Sequence, residues 1–166
     1  MSPRAVFVGA PGSGKSTVGQ LVAERLGVGF RDSDADIEAL AGKPIPEIFI
    51  DDGEPHFRAL ERAAVAAALA EHDGVLSLGG GAILADETRA LLAGHQVVYL
   101  NVSLSDAVSR VGLGPGRPLL AVNPRATLKY LLDQRRPLYE SVAAVTVATD
   151  GRTPESIADE VVTFLK

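Results

Sequence analysis

The chain of 166 residues has no cysteine, which excludes a disulfide framework, a thiolate metal site and a cysteine nucleophile. Its longest strongly apolar stretch, Ala63 to Ala70, is eight residues and mostly alanine, far too short to span a bilayer. The N-terminus lacks a charged segment followed by a long apolar stretch and a cleavage site, so the expected compartment is the cytoplasm. The formal net charge of −5 argues against a general nucleic-acid-binding surface. An Asn-Lys-x-Asp guanine-reading motif is also missing, which speaks against a GTPase. His56, His72 and His95 lie outside every motif described below.

What is present reads as one globular domain over residues 1–166. Short apolar runs at Ala5–Gly9, Gly29–Arg31, Val75–Leu78, Val97–Asn101 and Ala144–Ala148 alternate with helix-period segments. The helices are expected over Lys15–Leu26, Ala35–Ala41, Pro46–Ile50, Pro55–Glu71, Asp86–Ala93, Leu104–Val111, Pro124–Tyr139 and Pro154–Leu165. Short buried strands alternating with helices imply a five-stranded parallel sheet covered on both faces, a three-layer α/β/α fold. Residues 112–118, Gly-Leu-Gly-Pro-Gly-Arg-Pro, cannot make a helix or a central strand. They place a candidate lid at about 112–124, bearing Arg117.

The strongest motif is Gly9-Ala10-Pro11-Gly12-Ser13-Gly14-Lys15-Ser16, directly after the apolar run Ala5-Val6-Phe7-Val8. This is the G-x-x-x-x-G-K-[ST] phosphate-binding loop in its expected place between a strand and a helix. Its glycines let successive backbone N–H groups point at phosphate oxygens, and the following helix directs its positive end at the same anion. Lys15 adds a charge near the β and γ phosphates, while the Ser16 hydroxyl is a Mg²⁺ ligand. A fold with this loop resembles the P-loop NTPases of the nucleoside monophosphate kinase type.

Asp32-Ser33-Asp34 follows the second strand, where ligands of open α/β sheets sit. Alternation in an extended stretch would point Asp32 and Asp34 to the same side. One acid would hold Mg²⁺ through water and the other would accept a proton from an acceptor hydroxyl. Capping of the next helix accounts for Asp36 and less well for Asp32. Arg58 and Glu61 stand three apart on a helix, so Glu61 pre-aims a guanidinium fork able to grip a carboxylate. Gly79-Gly80-Gly81 ends the third strand, and three consecutive glycines imply a close approach to the backbone by a small polar substrate. Acids dominate from Asp32 to Glu61 and bases from Arg110 to Arg152, which suits Mg²⁺ on one side and anionic substrates on the other.

Together with Arg117-Pro118-Leu119 and Arg135-Arg136-Pro137-Leu138-Tyr139, these motifs resemble, in order and spacing, the shikimate kinase family over nearly the whole chain. The resemblance implies transfer of the ATP γ-phosphate to the 3-hydroxyl of shikimate, with Mg²⁺ as cofactor. It implies that Lys15, Asp34 and Arg117 are catalytic, Asp34 touching the reacting hydroxyl and Arg117 reaching from the lid. Gly12, Ser13, Gly14, Lys15, Ser16 and Thr17 would hold the phosphates. Arg110, Arg117, Arg152 and Pro154 would complete the ATP site, with Arg110 and the Arg152–Pro154 segment beside adenine. Arg58 and Arg136 would clamp the shikimate carboxylate, and the Gly80 and Gly81 backbone would touch the ring hydroxyls. Ser16, with Asp32 through water, would hold the metal. The helical region at about 33–61 would be the acceptor-binding part. The expected partners are ATP and shikimate, with no nucleic acid and no membrane, and the expected state is a monomer. Three alternatives stand beside this reading: another small-metabolite kinase such as a gluconate kinase, a nucleoside monophosphate kinase, and a nucleotide-binding switch without transfer activity.

Overall fold

The computed structural model describes residues 3–10, 13–103 and 124–165. Five strands form one parallel sheet: β1 (Ala5–Val8), β2 (Phe30–Asp32), β3 (Val75–Ser77), β4 (Val97–Asn101) and β5 (Val145–Ala148), in the order β2-β3-β1-β4-β5. Seven α-helices are found among the described residues: α1 (Lys15–Leu26), α2 (Ser33–Ala41), α3 (Ile45–Asp52), α4 (Glu54–Glu71), α5 (Asp86–Leu92), α6 (Pro124–Val142) and α7 (Pro154–Leu165). A 3₁₀ turn spans Ala82–Leu84. The three-layer α/β/α expectation is borne out. The expected helix Leu104–Val111, nearly all of the expected lid, and Gly12, Arg110 and Arg117 lie outside the described residues.

Alternation along the strands builds two cores. Val6, Val8, Leu76, Val97 and Tyr99 face Val65 and Leu69 of α4, Leu92 of α5 and Tyr139 of α6. Ala5, Phe7, Val75, Val98 and Leu100 face Val18 and Val22 of α1 and Ile157 and Val161 of α7. A strand buried on both faces must be apolar at every position, which is why these segments read as continuous runs. A third, smaller cluster joins Ile37 of α2, Ile48 of α3, and Phe57 and Ala64 of α4.

Most element boundaries shift by a residue or two, and two of the differences bear on the site. α2 starts at Ser33, not Ala35, so Asp34 is helical and the alternation argument for Asp32 and Asp34 does not apply. α6 runs through Pro137 to Val142, so Arg136-Pro137-Leu138 lies inside the helix instead of at its end.

β1 and β3 are adjacent, and the chain leaves them in opposite directions, β1 toward β2 and β3 toward β4. That divergence opens a crevice at their carboxyl ends. Among the described residues no helix is long and apolar enough to cross a membrane.

At the opposite end of the sheet, a Cβ on Gly74 would lie 2.1 Å from the Gly29 carbonyl oxygen. That oxygen accepts the Val75 N–H at 2.8 Å, so it cannot retreat without loss of the ladder. Gly74→Ala is therefore expected to destabilise the fold by about 1–3 kcal/mol in urea unfolding. Gly29→Ala, whose Cβ meets nothing nearer than 3.7 Å, is the control expected to lose less.

Candidate active site

A cleft of about 460 Å³ lies at the carboxyl ends of the strands. Ser13 to Val18 line it on one side, Asp32 and Asp34 on another, with Ser77, Leu78 and Gly80 from the end of β3 and Arg152, Pro154 and Ile157 from the start of α7. Gly14, at φ 91°, occupies left-handed backbone that favours glycine and turns the chain into α1. No side chain caps α1, so its leading N–H groups are left for an anion. Lys15 folds back over the loop, its Nζ donating to the carbonyls of Gly9 at 2.7 Å and Ala10 at 3.2 Å.

Asp32 works with both oxygens. Oδ1 accepts the Asp34 N–H at 2.9 Å and caps α2, while Oδ2 accepts from the Ser16 hydroxyl at 3.1 Å. Capping and cleft lining are thus one residue's simultaneous roles. The donor set at this point is a hydroxyl and a carboxylate, both hard oxygen ligands. No group of three or more His, Cys, Asp or Glu able to hold a metal occurs among the described residues. The hydroxyl and carboxylate pair fits Mg²⁺, which keeps most of its waters and shares substrate phosphates in place of an all-protein cage.

Most acids of the 32–61 stretch are spent on structure. Asp36 accepts from Arg31 at 2.7 Å, Lys43 pairs with Asp51 and Asp52, and Glu38 accepts the Ile45 N–H at 2.8 Å. Of those named, only Asp32 and Asp34 line the cleft.

Beyond Asp34 and Gly80 lies a buried ionic cluster. Arg58 Nη1 donates to Glu61 Oε1 at 2.8 Å, and its Nε donates to Glu54 at 3.3 Å. The Arg58 side chain is 16% exposed and that of Glu61 only 4%. The glycine run makes room for this cluster. A Cβ on Gly79 would lie 2.5 Å from Asp34 Oδ1 and 3.2 Å from Glu61 Oε2. One on Gly81 would lie 2.3 Å from Arg58 Nη1. The close approach read from three glycines is therefore made by the protein's own side chains at Gly79 and Gly81. Phe49 and Phe57, whose ring centroids are 4.8 Å apart, belong to the small helical core beneath Arg58.

The structure separates Arg136, the second clamp arginine expected from the sequence, from its neighbour Arg135. Consecutive helical residues point about 100° apart, so only one of Arg135 and Arg136 can turn inward. Arg135 does: it is 5% exposed, it acts on the Glu61 carboxylate, and it lies against the Tyr139 hydroxyl. Among the described residues its Nε has no hydrogen-bond partner, an uncommon state for a buried donor. Arg136 is exposed and reaches the Tyr99 hydroxyl instead. The helical phase carried a signal for this, because Leu131, Leu132, Arg135 and Tyr139 fall on one buried stripe at spacings of three and four.

The fold and cleft define a P-loop kinase of small molecules, in which one wall holds phosphates and the other presents an acid, an ionic cluster and a glycine-lined rim. The family model "Shikimate kinase" matches residues 11–166, and the chain belongs to the shikimate kinase family. It is 72% identical over 165 residues to the shikimate kinase of Salinispora arenicola, covering 99% of both chains. The solved structure of the Acinetobacter baumannii shikimate kinase in complex with shikimate superposes with a TM-score of 0.93 at 36% identity, over 97% of this chain and 92% of that one. A gluconokinase from Sinorhizobium meliloti is more distant, with a TM-score of 0.61 at 25% identity over 97% of this chain and 90% of that one.

Burial pushes the Glu61 carboxyl above its ordinary value of 4.5, and Asp34 adds to the rise, while the Arg58 and Arg135 guanidinium groups oppose it. An acid with a raised folded pKa contributes stability that is fully present below its unfolded pKa and lost as pH rises through the folded one. Glu61→Gln removes that slope. In denaturant unfolding from about pH 4 to pH 8, the stability of wild type relative to this variant is expected to decline as pH rises. A constant difference would show that Glu61 is not raised.

Proposed function

We propose that this chain is a shikimate kinase that transfers the γ-phosphoryl group of ATP to the 3-hydroxyl of shikimate, giving shikimate 3-phosphate and ADP. The observation that carries the reading is a single cleft joining the phosphate loop to Asp34 and the glycine rim. The Arg58 and Arg135 guanidinium groups meet at the buried Glu61 carboxylate, and a planar fork of this kind suits a small carboxylate acceptor.

Phosphoryl transfer asks a protein for positioning and charge neutralisation more than for covalent chemistry. On this reading Gly12 to Thr17 and the first turn of α1 cradle the phosphates. Lys15 exchanges its loop carbonyls for phosphate oxygens, and Arg117 reaches them from the lid. Arg152 and Pro154 bound the adenine end with Arg110. Ser16 and Asp32 would hold Mg²⁺, which when bound neutralises charge on the β and γ phosphates. Arg58 and Arg135 bind the acceptor carboxylate, Glu61 keeps Arg58 aimed, and the Gly80 and Gly81 backbone meets ring hydroxyls. Asp34 takes the proton of the attacking hydroxyl, so orientation and deprotonation come from opposite ends of the acceptor. The expected state is a single kinase domain acting as a monomer. The expected compartment is the cytoplasm.

ADP release from Mg·ATP is measured with shikimate, gluconate or AMP as acceptor. Turnover with shikimate alone is expected, turnover with gluconate or AMP would favour the corresponding kinase, and turnover with none would favour a switch. In the same assay Arg135→Ala is expected to raise the shikimate KM roughly a hundredfold with little change for ATP. Arg136→Ala is expected to leave the shikimate KM within about threefold. The reverse order would return the clamp to Arg136.

A further inference from the structure

The backbone of the glycine rim is almost fully accounted for. The Gly79 N–H donates to the buried Ser33 hydroxyl at 3.1 Å, and the Gly79 carbonyl accepts the Ala82 N–H at 3.1 Å. The Gly81 carbonyl accepts the Leu84 N–H at 3.1 Å. The Gly80 carbonyl accepts the Tyr139 hydroxyl at 2.6 Å. Among the described residues, the N–H groups of Gly80 and Gly81 have no partner in the chain. Gly81 is buried, where a donor is rarely left so, and Gly80 is half-buried on the cleft wall, so both N–H groups are available to a bound ligand.

Tyr139 is built to hold that arrangement. It is 1% exposed, and its ring stacks on Tyr99 with centroids 5.0 Å apart. A carbonyl only accepts, so the tyrosine proton points at Gly80 and the oxygen's lone pairs are left for the Arg135 guanidinium beside it. Burial pushes the hydroxyl up to about 12, which keeps the proton in place at any working pH. The peptide between Gly80 and Gly81 is trans, so fixing the Gly80 carbonyl toward Tyr139 turns the Gly81 N–H the opposite way.

We propose that Tyr139 is a positioning residue for the acceptor: its hydroxyl sets the orientation of the Gly80–Gly81 peptide and ties it to Arg135, so that one side chain aligns the two groups that bind opposite parts of the ring. The inference rests on the shikimate reading. The peptides on either side are held by the Ala82 and Leu84 N–H groups, so without the Tyr139 bond the Gly80–Gly81 peptide alone is released and the Gly81 N–H loses its aim.

Tyr139→Phe keeps the ring and its stacking and removes only the hydroxyl. The wild type and the variant are compared for shikimate KM, ATP KM, kcat and melting temperature. The expected result is a shikimate KM raised roughly fivefold to tenfold, with the ATP KM unchanged and melting within a few degrees. Shikimate analogues lacking the 4- or the 5-hydroxyl separate positioning from loosening. With one of them the wild type and the variant should become nearly equal, because the contact that Tyr139 serves is already gone. An unchanged shikimate KM, a parallel rise in both KM values, or a variant penalty that persists with both analogues would each overturn the proposal. Absence of shikimate turnover in the wild type would instead overturn the reading beneath it.

Discussion

Two missing β-carbons govern the acceptor side of this molecule. The volume that side chains would fill at Gly79 and Gly81 is occupied by the ends of Asp34, Glu61 and Arg58. Those ends come from α2 and α4, so the rim of the sheet and the helical layer above it interpenetrate. The arrangement lets an acid and a buried ion pair sit within reach of the phosphate loop without a long connecting segment. It also explains why Glu61 tolerates burial: its carboxylate is desolvated, but it is met by Arg58 directly and by Arg135 from α6.

The donor side follows a different logic. α1 begins without a side-chain cap, and Lys15 lies across the carbonyls of its own loop. The loop is thus held in shape by its own lysine. Asp32 links this half to the other, touching Ser16 with one oxygen and the start of α2 with the other.

Much of this was legible in the chain, for reasons that are local. Strand positions followed from continuous apolar runs, and the phosphate loop from an eight-residue pattern in context. Strand order was not legible, because β1 pairs with β3 and β4 across long intervals that no local pattern encodes. Asp34 was correctly grouped with Asp32 on the cleft, but through an extended geometry that a helix starting at Ser33 replaces. The burial of Arg135 beside an exposed Arg136 was not read from the motif, which ignores helical phase, whereas Leu131, Leu132 and Tyr139 fix that phase. The glycine run was read as room for a ligand when Gly79 and Gly81 are room for the protein itself.

α4 belongs to two cores at once. Its first half, through Phe57 and Ala64, packs with α2 and α3, and its second half, through Val65, Ala68 and Leu69, packs on the sheet. Arg58 stands about 16 Å along the axis from Leu69, given the rise of an α-helix. The helix is therefore a rigid beam resting on the sheet at one end and carrying the small helical core, with Arg58, at the other. A tilt of about 4° where it rests on the sheet carries Arg58 about 1 Å. Arg58 and the α2–α3 core thus move together with any shift of α4 on the sheet.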